Sequence, residues 1–411
     1  MGKKMRRSAV SKPDAVIKKY RALVGGHLVF RCFDKVKYEL PVLAFLLGFY
    51  AKDHDFFQRD IYNILHIFDY RIGFAPRLFI GSLMSLFTSY KSAAFMNLFF
   101  NIVCLVSIAV FAVVSGRVIR RSDDEARGAA ILFVLLFLAV PYSRTIFFPR
   151  LVSLERFLAM FTLLAFTAVG KKGFRWLVPL LIAVSLATYH GYAFTYMPAV
   201  AIVLLYETHR RKNSKPAVAL CVVSFAAMAA FSAYFYLYRG VPGFESVEQL
   251  IQYSLDKTDI RDQVGEFKLD WVLQLLVLSP GEFWALSRHL GVLKNLNLEV
   301  TGILALLPLL LLFFLIWYFA FKKSTGRFEK LIYLLCLLAP LTRLPMLVLS
   351  QNYLRSRIAM VVAQFALLFY FLHAGDAAVT QQAKKIWGFF KEHYLALAAL
   401  TAYYLFFVKL R

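Results

Sequence analysis

Cysteine and the short motifs of soluble enzymes are scarce in this chain. Four cysteines are scattered over 411 residues, and three of them lie inside predicted membrane spans, so neither a disulfide framework nor a thiolate metal site is expected. The sequence contains no Gly-rich phosphate loop, no HExxH, no paired CxxC and no nucleophile elbow. These absences leave an ATPase, a zinc protease and a serine hydrolase without support.

Acidic residues are half as frequent as basic ones. The 24 Asp and Glu stand against 48 Lys and Arg, which gives a formal net charge of +24. In a soluble protein this surplus would suggest nucleic acid as a partner. Here most of it falls in short loops beside apolar runs, where the positive-inside rule accounts for it. We therefore expect a lipid bilayer as a partner and no nucleic acid.

Long apolar runs make up most of the remaining sequence. The chain is 60% hydrophobic and 17% aromatic. Runs of about 20 apolar residues recur between charged loops, as in α-helices that cross a ~30 Å hydrocarbon core. We predict an all-α polytopic membrane protein with about eleven transmembrane helices. A basic cytoplasmic segment (1–38) would precede a single transmembrane domain (39–411).

The distribution of charge between loops predicts the orientation. Nearly every loop assigned to the inside is rich in Lys and Arg without matching acids, whereas the outer segments, mainly 52–91 and 239–298, hold most of the Asp and Glu. The N-terminus is then cytoplasmic. The absence of an outward-facing Asn-x-Ser/Thr sequon suits a bacterial cytoplasmic membrane. The predicted spans include Leu40–Ala51, Ser92–Ser115, Ala129–Val140, Trp176–Thr188, Tyr192–Tyr206, Ala217–Tyr238, Val300–Phe321, Leu331–Leu349 and Ile358–Leu372.

The first outer loop carries the densest group of charges. An ionisable side chain near membrane depth is costly, so it usually pairs or has a function. A carboxylate there can act as a general base or bind a divalent cation. A solvated loop, or salt bridges to the neighbouring arginines, is the alternative. The candidate catalytic residues are Asp53, Asp55, Asp60 and Asp69, with Asp53 and Asp55 the candidate ligands if the protein uses Mg²⁺ or Mn²⁺.

Arginines reach the predicted outer side from several separate parts of the chain. Guanidinium groups suit a phosphate or pyrophosphate, which they bind through paired hydrogen bonds. Arg343 stands between Pro340 and Pro345 in an apolar run, which predicts a broken helix that turns this guanidinium toward a cavity. Interfacial anchoring, pairing with Glu155 and a packing role for the histidine are the alternatives. The candidate phosphate-binding residues are Arg71, Arg77, Arg144, Arg150, Arg156, His190, Arg343, Arg355 and Arg357.

The first outer loop opens with Asp53-His54-Asp55 directly after the first span and continues with Phe56–Asp60. It also holds the amphipathic stretch Leu78–Phe87, which would form a juxtamembrane helix. In these features the loop resembles that of the GT-C superfamily of integral-membrane glycosyltransferases. The segment Asp69–Arg77 is similar to a loop element of bacterial membrane glycosyltransferase-like proteins.

The resemblance implies a GT-C-like fold and an inverting reaction. A sugar would move from a polyprenyl-phosphate carrier to a glycan or lipid-linked acceptor on the non-cytoplasmic face. The aspartate at Asp53 or Asp55 would deprotonate the acceptor hydroxyl, and arginines would stabilise the phosphate as leaving group. The sugar, the carrier and the acceptor stay unidentified.

Two other functions stay open. An O-antigen-type polysaccharide polymerase or ligase would also use outer arginines, on a lipid pyrophosphate, and would depend less on a first-loop aspartate. A lipid or glycolipid transporter or flippase predicts inverted repeats with broken helices in corresponding halves. The sequence offers one convincing broken span, at Leu331–Leu349.

Cysteine accessibility tests the predicted orientation. In a variant whose native cysteines are replaced, Ser89→Cys in the first outer loop should react with a membrane-impermeant maleimide on intact cells. Lys172→Cys, in a predicted inner loop, should react only after the membrane is opened. Labelling of the first loop from the cytoplasmic side alone would invert the orientation.

Overall fold

The computed structural model describes residues 36–52, 65–147, 153–238, 241, 243–259, 276–278, 281–282, 285, 296–349 and 353–409. These residues are helical and include no strand. The helices are α1 (Glu39–Lys52), α2 (Phe79–Ser85), α3 (Ala93–Arg121), α4 (Asp124–Ala139), α5 (Pro141–Arg144), α6 (Ser153–Val169), α7 (Leu177–Thr188), α8 (Tyr192–Thr195), α9 (Met197–Arg210), α10 (Lys215–Leu237), α11 (Val247–Leu255), α12 (Leu296–Lys323), α13 (Arg327–Leu338), α14 (Leu344–Leu349), α15 (Tyr353–Ala374), α16 (Ala377–Glu392) and α17 (Tyr394–Ala402). Four 3₁₀ turns (65–67, Tyr70–Ile72, Thr145–Phe147 and Ala339–Arg343) and a π turn (Tyr403–Phe407) are also present in the described residues.

Within the described residues, four helices are long and apolar enough to cross a membrane. They are α3, α10, α12 from Glu299 onward, and α15. α4 and the segment Pro141–Phe147 meet the criterion together but are bent by 79°, which makes five at most. The predicted count of about eleven is therefore not supported. The 14-residue α1 and the 12-residue α7 are only about 21 Å and 18 Å long at 1.5 Å per residue, shorter than a ~30 Å core.

The prediction of a broken helix around Arg343 is confirmed. α13 ends at Leu338, and a 3₁₀ turn with Pro340 near its start leads into α14. Proline has no amide hydrogen, and its ring clashes with the preceding helical turn, so a continuous helix is disfavoured here. The break places Arg343, the last residue of the 3₁₀ turn, in the interior of the protein.

α15 is the central helix of the bundle. In its 18-residue apolar window 89% of the residues are buried, compared with 28 to 39% for the other three long helices. It contacts α3, α6, α9 and α12. The sequence places the start of this span at Ile358, but α15 begins at Tyr353. Arg355 and Arg357, which were expected in a loop, therefore lie in the first turns of a buried helix.

The predicted outer loops meet at one end of the bundle, which we call the outer end. Backbone and hydroxyl hydrogen bonds join the first loop to the last turn of α7, to the end of α10 and to the segment that follows α11. These bonds run from the Arg77 amide to the Ala187 carbonyl (2.9 Å), from the Lys91 amide to the Lys257 carbonyl (2.7 Å) and from the Tyr234 hydroxyl to the Phe74 carbonyl (3.1 Å).

The predicted inner segments meet at the opposite end, which we call the inner end. There the Arg121 guanidinium lies 2.9 Å from the His373 ring, and Lys384 pairs with Asp123 at 2.8 Å. The loops thus fall into the two groups that the charge pattern predicts. Which group faces the cytoplasm stays a prediction.

The amphipathic stretch predicted over Leu78–Phe87 forms the seven-residue helix α2. It packs so tightly on an earlier part of the first loop that Gly81 has no room for a side chain. A Cβ at this position would overlap the carbonyl oxygen of Phe68 and lie 2.7 Å from that of His66. The backbone that carries the candidate site is therefore fixed by this close approach.

Replacing Gly81 tests this packing. Gly81→Ala should lower the free energy of unfolding by about 1–3 kcal/mol, because the new methyl group meets backbone that cannot rotate away. Thermal unfolding of the protein in detergent measures the change. Gly48→Ala in α1 is the matched control, since nothing lies within 4 Å of its added Cβ. Equal melting temperatures for the two variants would contradict the packing.

Candidate functional site

A buried group of arginines and glutamates lies at the outer end. Of the four arginines, two come from α15, one from the 3₁₀ turn before α14 and one from the start of α6. Of the two glutamates, one comes from the start of α6 and the other from α12. All six residues are 6% exposed or less. We call this group the arginine layer, and its members are Arg156, Arg343, Arg355, Arg357, Glu155 and Glu299.

Glu299 joins three segments of the chain within this layer. Its carboxylate accepts a hydrogen bond from Arg343 and lies 3.3 Å from Nε of Arg357. Arg343 also donates to the Ser356 hydroxyl (3.2 Å), and Arg357 donates to the Tyr142 hydroxyl (3.3 Å). Both guanidinium groups are therefore held in fixed orientations by more than one partner.

Glu155 is the second carboxylate of the layer. It stands in the first turn of α6, where it interacts electrostatically with Arg355 and lies beside Tyr196. The neighbouring Arg156 donates from Nε to the carbonyl oxygen of Ile146 at 2.8 Å. The structure thus places Glu155 near an arginine of α15, 200 positions away in sequence. Its pairing with an arginine of the second loop stays a prediction.

Asp69 is the candidate catalytic aspartate that the structure describes. Its carboxylate accepts hydrogen bonds from Arg71 Nε (2.8 Å), Ser85 Oγ (2.7 Å) and Lys91 Nζ (3.1 Å), and it is 2% exposed. Burial acts to raise the pKa of Asp69, but the hydrogen bonds from Arg71 and Ser85 and the charge of Lys91 hold that pKa well below its usual range. A carboxylate so strongly stabilised as an anion is a weak proton acceptor. This geometry favours a role in fixing the loop.

His66 is the residue of the first loop on which Arg355 of the arginine layer acts electrostatically. Its ring is fully buried, and neither ring nitrogen has a hydrogen-bond partner among the residues that the structure describes. Burial, followed by the positive charges of Lys91 and Arg355, lowers the pKa of His66 to about 3, so the ring is neutral at physiological pH. Asp69, which pairs with Lys91, is buried and faces the protein interior and not bulk water.

Two further candidate arginines lie around the layer. Arg144 stacks on Phe49, with 4.6 Å between its Cζ and the ring centroid. The side chain of Arg71 is 51% exposed and pairs with Asp69. The exposed guanidinium of Arg71 is thus anchored on one side and accessible on the other.

Arg77 and His190 come together at the turn after α7. Arg77 has a positive φ of 75°, which is unusual for a residue with a side chain, and its guanidinium lies 5.2 Å from the Tyr189 ring centroid. The His190 ring packs edge-on against Tyr236 at 5.4 Å. The His190 ring is thus packed against an aromatic side chain, as its packing alternative expects. Arg77 is held at the turn by its amide hydrogen bond to the Ala187 carbonyl and by the Tyr189 ring.

The other candidates lie outside the described residues. These are Asp53, Asp55, Asp60 and Arg150. Among the described residues, no group of three or more His, Cys, Asp or Glu could hold a metal ion. The Mg²⁺ or Mn²⁺ site at Asp53 and Asp55 stays a prediction.

Comparison with known proteins adds no relative to these observations. No protein-family model, curated protein or solved structure matches the chain. The function is therefore inferred from the residues of the site.

Glu299, Lys91 and His66 belong to the site but were not among its predicted residues. Glu299 and Lys91 share a detectable signal, because each is an isolated charge at the start of an apolar run. His66 stands alone among Leu65, Ile67 and Phe68, a pattern that indicates burial. No feature of the sequence pairs these residues with their partners.

Removing the Glu299 charge tests the arginine layer. Glu299→Gln leaves two buried guanidinium groups without their shared carboxylate, so the free energy of unfolding should fall by about 3–5 kcal/mol. Thermal unfolding in detergent measures this loss. In the control, Asp124→Asn, the pair with Arg127 is exposed and its removal should have no measurable effect. A Glu299→Gln protein as stable as this control would contradict the role given to Glu299.

Proposed function

We propose that the chain is a membrane glycosyltransferase of the GT-C type. In this proposal it transfers a sugar from a polyprenyl-phosphate carrier to a glycan or lipid-linked acceptor. The observation that carries the proposal is the burial, at the outer end, of four arginines from α6, α15 and the 3₁₀ turn before α14. An ionisable group is costly at membrane depth, and a group of them from distant segments is typical of a binding site.

The chemistry of the layer suits a phosphate group. Guanidinium is planar, stays charged at every accessible pH and presents donors in a fork that matches phosphate oxygens. When the bond between a sugar and its carrier breaks, the departing phosphate gains negative charge. Donors held in place before the reaction stabilise that charge most effectively. Glu299 supports such preorganisation, because it orients Arg343 and Arg357 together.

The proposed reaction has three coupled changes. The acceptor hydroxyl oxygen attacks the anomeric carbon from the side opposite the phosphate, so the configuration inverts. The bond from that carbon to the carrier oxygen breaks, and its electron pair leaves with the phosphate. An aspartate takes the hydroxyl proton. We assign this proton transfer to Asp53, Asp55 or Asp60, because the carboxylate of Asp69 already accepts hydrogen bonds from three side chains.

The location follows from the predicted orientation. The outer end would face the non-cytoplasmic side of a bacterial cytoplasmic membrane, with the N-terminus in the cytoplasm. The long apolar helices α3, α10, α12 and α15 are compatible with an integral membrane protein. A divalent cation at Asp53 and Asp55 belongs to this proposal only if chelation lowers the activity.

The pairing of Asp69 favours a second candidate function. An O-antigen-type polymerase or ligase would use the same arginines on a lipid pyrophosphate and would not need a first-loop base. Because Asp69 is engaged with Arg71, Ser85 and Lys91, the arginines alone would then carry the chemistry. The two candidates differ in their dependence on the remaining first-loop aspartates.

Single substitutions separate these functions. We expect Asp→Asn at one of Asp53, Asp55 and Asp60 to lower sugar transfer from a labelled polyprenyl-phosphate sugar in membranes by about 10²-fold or more. Asp69→Asn should lower the melting temperature as well as the activity, because it weakens a buried ion pair. Arg343→Ala should lower transfer strongly, while Arg343→Lys should restore part of it. Asp124→Asn, at the inner end, is the control.

Each result decides between the candidates. If all four aspartate variants keep full activity while Arg343→Ala is inactive, the aspartate mechanism is wrong and the polymerase or ligase is favoured. If a folded Arg343→Ala protein also transfers normally, the phosphate-binding role of Arg343 is wrong.

A further inference from the structure

A cavity of about 540 Å³ opens at the inner end of the bundle. It lies between the C-terminal parts of α3, α6, α9 and α15. Five cationic side chains line it, together with a single carboxylate, Glu207. The cations are Arg117, Arg121, Lys171, Arg210 and Arg211. This volume falls within the roughly 300–1,000 Å³ of ordinary ligand pockets.

The lining divides into a polar mouth and an apolar wall. The cationic groups lie at or beyond the ends of their helices, whereas the wall between the helices is apolar and partly aromatic. The apolar residues include Val114, Val118, Leu163, Phe166, Ala366 and Phe369. A ligand that fits both parts carries negative charge at one end and hydrocarbon at the other.

Part of the positive charge has a structural role. Arg210 and Arg211 both pair with Glu207, at 2.7 and 3.0 Å. Arg211 also donates to the carbonyl oxygens of Val169 and Gly170, at the C-terminus of α6. The carboxylate of Glu207 is therefore already paired with these two arginines.

The other three cations surround His373. Arg121 lies 2.9 Å from Nε2 of this ring, and Arg117 and Lys171 act on it electrostatically together with Arg210. Nδ1 of His373 is buried and has no hydrogen-bond partner in the described part of the chain. Like charges held around a cavity repel one another, so an anion in the cavity would stabilise this arrangement.

The general preference for basic side chains at helix ends does not by itself account for this cavity. Basic side chains at helix C-termini offset the helix dipole, and the positive-inside rule favours them in inner loops. Basic side chains that point into water satisfy both of these preferences. Neither requires four helix ends to leave an open cavity with an apolar wall behind the cations.

We propose that this cavity binds a phosphate group, and that the apolar wall favours the phosphate of an anionic lipid. Basic pockets between membrane helices bind such head groups by charge and by the paired hydrogen bonds of arginine. Along α15, His373 at the mouth of the cavity lies 16 residues beyond Arg357, about 24 Å at 1.5 Å per residue, so the cationic mouth is separate from the arginine layer. It does not depend on the proposed transferase activity.

Binding of defined lipids to the purified full chain tests the proposal. Fluorescent phosphatidylglycerol and phosphatidylcholine are titrated in detergent micelles, and inorganic phosphate is titrated by calorimetry. We expect phosphatidylglycerol to bind, and the Arg117→Gln/Arg121→Gln variant to weaken this binding at least tenfold. Lys171→Gln should also weaken binding, whereas its neighbour Lys172→Gln, which does not line the cavity, should leave it unchanged. Arg117→Lys keeps the charge and should keep most of the affinity.

The outcomes distinguish the source of the phosphate. Inorganic phosphate that binds alone, with the same loss in the glutamine variants, would support the site but assign it to a free phosphate. Binding of neither probe would overturn the proposal. Equal loss in Lys171→Gln and Lys172→Gln would overturn it too, because the cavity would then not be the place of binding. Melting temperatures confirm that each variant is folded.

Discussion

A buried carboxylate shared by two arginines is the interaction on which the outer end depends. Glu299 accepts from Arg343 and lies beside Arg357, and these three residues come from α12, from the 3₁₀ turn before α14 and from α15. Removing charges from water is costly, so such a group is stable only when its members face one another with good geometry. The same requirement fixes where the three segments meet and which way the guanidinium groups point.

The central position of α15 explains why charge is buried at the outer end. The other long helices expose apolar side chains such as Leu98, Val222 and Leu304, which suits contact with lipid. α15 has no such face, because it is surrounded by protein along nearly its whole length. The side chains of Arg355 and Arg357 therefore cannot reach water by extending along the helix. Carboxylates of neighbouring helices lie near them instead.

The two ends of the bundle use positive charge differently. At the outer end, buried glutamates hold the arginines in fixed orientations, an arrangement that suits a reaction in which charge develops at one point. At the inner end, cations outnumber the single carboxylate around a cavity, which suits equilibrium binding of an anion.

Composition and charge pattern were enough to predict the helical class, the two groups of loops and the break at Arg343. These depend on local rules: apolar length, the positive-inside bias and the effect of Pro340. The predicted count of about eleven membrane spans is not supported by the described residues, because apolar runs such as the one before Thr188 form helices shorter than a ~30 Å hydrocarbon core. Hydrophobicity alone does not tell a short buried helix from a span.

The contacts of the site could not be predicted from the sequence. That Glu299 lies against Arg343, or Lys91 against Asp69, depends on how segments distant in the chain pack together. Local pattern carries no information on such pairs. It does mark each of these residues as an isolated charge in an apolar setting, and that signal was used for Arg343 but not for Glu299 or Lys91.

Photo-crosslinking with a polyprenyl-phosphate analogue tests the central claim most directly. An analogue with the photoreactive group next to its phosphate is activated in membranes, and the modified peptides are mapped by mass spectrometry. Our account predicts adducts in the first outer loop and in the segments 339–343 and 353–357, at the outer end. Adducts confined to the lipid-facing surface of α10, or to the inner cavity, would contradict it.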